Sequence, residues 1–326
     1  MRILAGDVGG TKTLLALVAF EEGRVRLVHE RRFRSDSEGS LGSLASRFLA
    51  ETGGADRAAF GAAGPVAGGV CRGPNLPWTI DREELARVLG IPRTILLNDF
   101  EAVGYGVEHL GPEDLFTLQE GAPVPGGPVA LVGAGTGLGE AFVLRIGGAV
   151  RVFPTEGGHA DFAPRNETEF GILRFLERRI GGRVSVERVL SGSGLAAIYE
   201  HVAESGLATA DPAVRAEAEG EDPAAVVSRA ALEGRCRACV AALDLFASLY
   251  GAEAGNQALR ILARGGVYIG GGMAPRILEK LKDGVFIRSF LDKGRFSGLL
   301  REFPVRVILS ERTPLLGAAS FAARLS

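Results

Sequence analysis

Three cysteines among 326 residues cannot build a disulfide framework. The one CxxC pair, Cys236 and Cys239, has no second ligand pair nearby to complete a zinc site, so burial on a helix is the expectation for both. An excess of charge of one sign is also missing. Lys and Arg total 37 against 39 Asp and Glu, a formal net charge of −2, which removes the electrostatic case for nucleic acid or an anionic membrane as partner. The one basic cluster, "HERRFR" at 29–34, reads as a solvated strand edge. No charged n-region followed by an apolar stretch marks a secretory signal, and no apolar run reaches the roughly 18 residues that span a bilayer. The expectation is a cytoplasmic protein. What remains is ordinary globular composition, 46% hydrophobic and 23% charged, in a chain long enough for two domains.

Glycine is not scarce, and its clusters carry the chemistry. "AGDVGGTKT", residues 5–13, nearly spells the Walker phosphate loop, but Thr11 stands where that pattern demands its second glycine. A Walker loop also leads into a helix, whereas here the following "TLLALVAF" is apolar and β-capable. The expected structure is therefore a β-hairpin. Its glycines would let backbone amides approach phosphate oxygens, Thr11 and Lys12 would add side-chain donors, and Asp7 could hold a water of a Mg²⁺ shell.

The pattern then recurs. "PVALVGAGTGLGEAFVLRI", 128–146, is again strand, glycine turn, strand; Leu138 replaces the third glycine of a dinucleotide fingerprint and no helix follows, so a Rossmann reading fails twice. Downstream, "GGVYIGGGMAPRILEKL" gives a strand ending in Gly270, Gly271 and Gly272 before a helix, a place for a nucleoside or phosphate.

Between these clusters, strands alternate with helices. "SLGSLASRFLAET" fits a helix face, "RAAFGAAGPV" a strand, and "DREELARVLG" a helix with an Asp cap and a terminal glycine. "RTILLNDFEAV" runs an apolar strand into Asn98 and Asp99. The alternation argues an α/β fold. "QEGAPVPGGP" at 119–128 reads as a connection between two halves, and the acidic, Ala-rich 206–228 as a surface loop or variable helix connection.

"GDVGGTKTLLAL", "LLNDFEAV", "GAGTGLG", "EGGHADFAP", "SVERVLSGSGL", "GGVYIGGGMAPR" and "DKGRF" occur in this order over nearly the whole chain. In them the sequence resembles the bacterial glucokinases of the hexokinase, sugar-kinase and actin-like ATPase superfamily, the class without a zinc motif. The resemblance implies a two-domain ribonuclease-H-like fold with a cleft that closes on the sugar. The small α/β domain would span 1–110, completed by a C-terminal helix at about 303–326, and the large one 111–302. It implies transfer of the γ-phosphoryl group of MgATP to the 6-hydroxyl of glucose in a cytoplasmic homodimer, with no zinc.

By the same resemblance, Asp99 is the catalytic base and Asn98, Glu156, His159 and Glu187 are sugar ligands. Gly6, Asp7, Val8, Gly9, Gly10, Thr11 and Lys12, with Gly133, Gly135, Thr136 and Gly137, surround the phosphates, with Asp7 on Mg²⁺ through water. Gly271 and Gly272 lie near adenosine. The chemistry agrees: phosphoryl transfer to a hydroxyl needs a carboxylate in reach of the proton and neutralisation of phosphate charge. Plainer roles stand beside these, a helix cap for Asp99 and a capping or solvated carboxylate for Glu187. Asn75 and Trp78 of "PNLPW" could shape a sugar pocket or be a turn and a core tryptophan, and are not assigned.

Two rival readings use the same fold: a kinase for another hexose or N-acetylhexosamine, and a non-catalytic sugar sensor. The absence of a cysteine cluster after His159 favours glucose. The phosphate hairpin beginning at residue 3 leaves no room for a preceding DNA-binding segment, which argues against a repressor.

Overall fold

A computed structural model of the chain describes every residue except Glu22, Pro74, Asn75 and Ser326; Asn75, one of the two unassigned pocket candidates, thus lies outside the described residues. The chain divides into two compact units. One holds Met1–Glu113, Gly148–Pro154 and the stretch from Ser310; the other holds Asp114–Gly147 and Thr155–Leu309.

In the first unit the opening hairpin forms as expected. β1 (Arg2–Val8) and β2 (Lys12–Glu21) pair antiparallel, with Val8 opposite Thr13 across the glycine turn. β3 (Arg24–Arg34) is the sheet's edge strand, and its arginines are solvated, Arg34 pairing with Asp36 at 2.8 Å. α1 (Leu41–Thr52) starts at Ser40, whose Oγ accepts from the Ser43 amide at 3.1 Å, and buries Leu41, Leu44, Ala45 and Phe48. β4 (Arg57–Ala62) follows, then three short strands, β5 (Val66–Ala67), β6 (Val70–Cys71) and β7 (Ile80–Asp81), that form a small sheet of their own. α2 (Arg82–Leu89) has both expected punctuation marks, an Asp81 cap and a left-handed Gly90. β8 (Thr94–Asn98) then runs straight into α3 (Asp99–Gly106). The sheet order is β3-β2-β1-β4-β8, with β1, β4 and β8 parallel. Parallel strands need both faces covered, and Leu4, Ala5, Phe60 and Leu97 are accordingly buried.

The six-stranded sheet repeats the plan. After β9 (Leu115–Gln119), β10 (Val129–Ala134) and β11 (Leu138–Ile146) form the second glycine hairpin, and β12 (Ala149–Thr155), which but for Thr155 falls in the stretch counted with the first unit, follows. Helices α4 (Glu167–Ile180), α5 (Gly192–Glu204), α6 (Pro212–Gly220), α7 (Pro223–Leu232) and α8 (Arg237–Ile261) lead to β13 (Gly266–Gly270). Four short helices, α9 (Met273–Arg276), α10 (Leu278–Lys282), α11 (Val285–Leu291) and α12 (Ser297–Leu300), precede β14 (Val305–Ile308). The order is β12-β11-β10-β13-β14-β9, with β10, β13 and β14 parallel. Its first five places match β3-β2-β1-β4-β8 one for one: the duplicated α/β plan of the ribonuclease-H-like, actin-like ATPase fold.

Three details differ from expectation. The stretch 119–128 joins β9 to β10 within one sheet, while the change of unit falls at Glu113 and Asp114. Proline and glycine mark a turn equally well inside a domain and between domains. The acidic 206–228 region holds α6 and α7, each started by an Asp-Pro step: Asp211 and Asp222 cap the helices from just before Pro212 and Pro223. α8, 25 residues long, is apolar enough to cross a bilayer by length and composition, yet 72% of that window is buried inside the protein. Cys236 caps this helix and Cys239 lies within it, both buried and free.

The C-terminal α13 (Thr313–Arg324) closes the first unit by packing on α3, β1 and β4. Gly106 and Gly317 let the α3 and α13 backbones cross closely, since a Cβ at either would overlap the other helix.

Candidate active site

In the first unit, the parallel strands β1, β4 and β8 end together. Val8 is level with Ala62, and Ala62 with Asn98, so Asp7 and Asp99 come to one edge of the sheet. Carboxyl ends of parallel strands are where open α/β sheets bind ligands. Asp7 is half-buried there. Burial, then the Asp99 carboxylate and more weakly Glu311, push the Asp7 carboxyl up to about 7 against the pull of Lys12. A carboxyl raised by burial and then by a second carboxylate is a group that a cation would stabilise.

The turn beside it is held by its own backbone and by one buried serine. The Gly9 amide donates to the Lys12 carbonyl at 3.0 Å, and the Ser35 amide to the Thr11 carbonyl at 3.0 Å. Ser35 Oγ donates to the Gly9 carbonyl at 2.6 Å and lies 2.9 Å from Thr13 Oγ1. Thr11 and Lys12 remain exposed, and Lys12 Nζ is 3.7 Å from Glu311, which also pairs with Arg32.

Asn98 and Asp99 exchange one expected part. The residue that caps α3 is Asn98, whose Oδ1 accepts from the Phe100 amide at 2.9 Å and the Glu101 amide at 3.2 Å. Its Nδ2 donates to the Gly64 carbonyl at 3.0 Å. With both lone pairs of Oδ1 engaged, the amide keeps one further capacity, the second N–H of Nδ2. Asp99 is the first residue of the helix and half-buried, its Oδ1 accepting from the Phe100 amide at 2.9 Å. Trp78 Nε1 donates to the Glu38 carbonyl at 3.2 Å, an anchoring contact of the small sheet's neighbourhood.

In the second unit, Glu156, His159 and Glu187 are brought together. His159 stands 3.8 Å from Glu156 through Nε2 and 4.0 Å from Glu187 through Nδ1. Glu156 and His159 are exposed on the short helical turn after β12, while Glu187 is less so, at 29%. Glu187 also reaches the second hairpin, its Oε2 accepting from the Leu138 amide at 3.0 Å. Gly133, Gly135, Thr136 and Gly137 form the end of β10 and its turn; the Gly135 amide donates to the Gly137 carbonyl at 2.8 Å, and the Gly192 amide at the start of α5 to the Gly135 carbonyl at 2.9 Å. Gly271, at φ 77°, and Gly272 follow β13 beside that turn, and a Cβ on Gly271 would overlap the Ala134 carbonyl.

Three residues of these surroundings carried no signal in the sequence. Ser35 sits under the first turn, Tyr250 behind the second, and Glu140 on β11 is 1% exposed. Burial, and behind it the Glu253 carboxylate, push the Glu140 carboxyl up to about 8, although Arg260 and a hydrogen bond from Gln257 pull it down. Each touches partners more than twenty residues away in sequence, which no local pattern records.

The family model for glucokinase matches residues 4–325. A glucokinase of Nostoc sp. is 44% identical over 99% of this chain and 99% of its own. The crystal structure of a glucokinase from an Antarctic psychrotroph superposes with a TM-score of 0.85 at 30% identity, covering 99% of both chains. A ROK family glucokinase from Streptomyces griseus, solved in complex with glucose and AMPPNP, shares the fold at a TM-score of 0.69 and 20% identity, with full coverage of both chains.

Proposed function

The chain belongs to the glucokinase family, and from that premise we propose that it transfers the γ-phosphoryl group of ATP to the 6-hydroxyl of glucose, giving glucose 6-phosphate and ADP. The observation that carries this reading is the pairing of Asp7 and Asp99 at one sheet edge, beside a glycine turn that bears Lys12. Asp99 takes the proton of the attacking hydroxyl, a role for a half-buried carboxylate at the start of a helix. Lys12 and the amides of Gly10 and Thr11 hold phosphate oxygens, the Gly9 amide being engaged by the Lys12 carbonyl. The amides of the second turn and of Gly271 and Gly272 hold the rest of the nucleotide. Asn98, Glu156, His159 and Glu187 orient the sugar, since carboxylate, imidazole and amide suit hydroxyls that both donate and accept.

Mg²⁺ belongs to this proposal. Such a cation keeps most of its waters and, beside phosphate oxygens, would need a single protein carboxylate. Asp7 is that carboxylate, acting through water; the ion supplies neutralisation of phosphate charge. ATP as donor is favoured by the AMPPNP named with the Streptomyces griseus relative. A cytoplasmic homodimer completes the reading, and three buried free thiols suit a reducing compartment.

The test is ADP release with MgATP and glucose, mannose, fructose, N-acetylglucosamine or no sugar. Release that depends strongly on glucose is the expected result. Equal release with another hexose redefines the acceptor, and none with any sugar ends the kinase reading for this donor.

A further inference from the structure

β10 and β13 run side by side in parallel, Val132 level with Ile269 and Gly133 with Gly270, and then part into the two glycine turns assigned to the nucleotide. At the point of parting, one side-chain hydroxyl stands between them. Tyr250, at mid-length in α8, is fully buried and held edge-on by Phe246 and Phe286, with ring centroids 5.9 and 5.7 Å away. Its hydroxyl accepts from the Ala134 amide at 3.0 Å and can donate to the Gly270 carbonyl at 3.1 Å or the Val132 carbonyl at 3.3 Å. A phenol has one proton, so at any instant one of the two carbonyls receives it; the acceptor side is engaged throughout.

We infer that Tyr250 is a positioning residue for the nucleotide: its hydroxyl fixes the spacing of the Gly135–Gly137 and Gly271–Gly272 turns, and through them the affinity for the donor but not for the sugar. Three observations converge on this. The hydroxyl bonds the last residues of both strands and nothing of the Glu156, His159 and Glu187 cluster. The two turns are in van der Waals range of each other, because a Cβ on Gly271 would overlap the Ala134 carbonyl, so a shift of one strand end moves the other. The ring is wedged between two phenylalanines on α8 and α11, which makes its hydroxyl a fixed point rather than a mobile one. The inference rests on the assignment of both turns to the nucleotide.

The experiment compares Tyr250→Phe, Gly271→Ala and Leu243→Ala with the wild type, measuring KM for ATP, KM for glucose, kcat and the melting temperature. Tyr250→Phe keeps the ring and leaves the Ala134 amide and the two carbonyls without their partner; a lost buried hydrogen bond predicts a rise of about three- to thirtyfold in KM for ATP. KM for glucose should stay within about twofold. Leu243→Ala, a buried residue of the same helix with no part in holding the Tyr250 ring, lowers the melting temperature and should leave KM for ATP unmoved; if it raises KM for ATP as much as Tyr250→Phe does, the effect is packing and the inference fails. It fails too if Tyr250→Phe is folded with KM for ATP unchanged, or with both KM values raised alike. Gly271→Ala separates this failure from that of the underlying assignment: it strikes the turn directly, so an unchanged KM for ATP there overturns the nucleotide role of the turn itself. Should Tyr250→Phe not fold, amide exchange of the wild type with and without ADP decides: protection gained at both turns together supports the coupling, and gain at one turn alone overturns it.

Discussion

The two glycine hairpins have the same strand order around them and opposite means of support. The first is braced by small hydroxyls, Ser35 and Thr13, and offers ionisable side chains, Asp7 and Lys12. The second offers no charge of its own turn residues. It is braced by a carboxylate from elsewhere, Glu187 on the Leu138 amide, by the Gly192 amide, and by the Tyr250 hydroxyl at its root. The second strand of each hairpin even buries a different polar group, Thr13 in one and Glu140 in the other. The backbone plan recurs while the side chains differ. In the function proposed here, one copy carries acid–base and charge chemistry and the other geometry linked to the proposed sugar ligands.

The sharpest way to break this comparison is at the first unit's edge. Asp99→Asn preserves shape and removes the base, so kcat should fall about 10²- to 10⁴-fold while glucose still binds by calorimetry. A near-normal rate would return Asp99 to a structural role. On the other side, Glu187→Ala removes both a proposed sugar ligand and the partner of the Leu138 amide. KM for glucose should rise roughly ten- to hundredfold and KM for ATP several-fold; a rise for glucose alone would show that the brace on the second hairpin does not matter.

Smaller effects sharpen the contrast. Ser35→Ala should cost about 1 kcal/mol of stability, read from denaturant melts, and raise KM for ATP a few-fold by freeing the Gly9 carbonyl. Its counterpart is Glu140→Gln, which should show itself only through pH. A carboxyl raised to about 8 when folded contributes stability in full below its ordinary value of 4.5, and that contribution is lost as pH climbs through the folded value. The wild type should therefore lose stability relative to Glu140→Gln between roughly pH 5 and 8, by at most about 1.4 kcal/mol per pH unit. Parallel melting curves for the two proteins across that window would remove the proton from Glu140.

Much of this was legible because it is local. Hairpins announce themselves by apolar runs flanking glycines, and "DREELARVLG" carries its cap and its stop within ten residues. Asp99 could be placed at a strand end because an apolar run stops there. The cap of α3 fell to Asn98 rather than Asp99 because the helix begins one residue earlier than an Asp99 cap would require. The Asp211-Pro212 and Asp222-Pro223 steps were helix starts in plain sight, masked by an acidic composition that suggests a loop.

By itself, then, the sequence determined the α/β alternation, the two hairpins and the third glycine turn, since each follows from neighbours within one element, while the proposed site residues came from the resemblance to the glucokinases. Only the tertiary structure decided which groups press on one another. Asp7 is raised toward neutrality by burial and, next, by Asp99, which parallel strands bring to the same end of the sheet, and the second turn is rooted because a helix more than a hundred residues downstream lays a tyrosine hydroxyl between two strand ends. Electrostatic and hydrogen-bonding energies depend on distance in space, and a linear pattern holds no record of it.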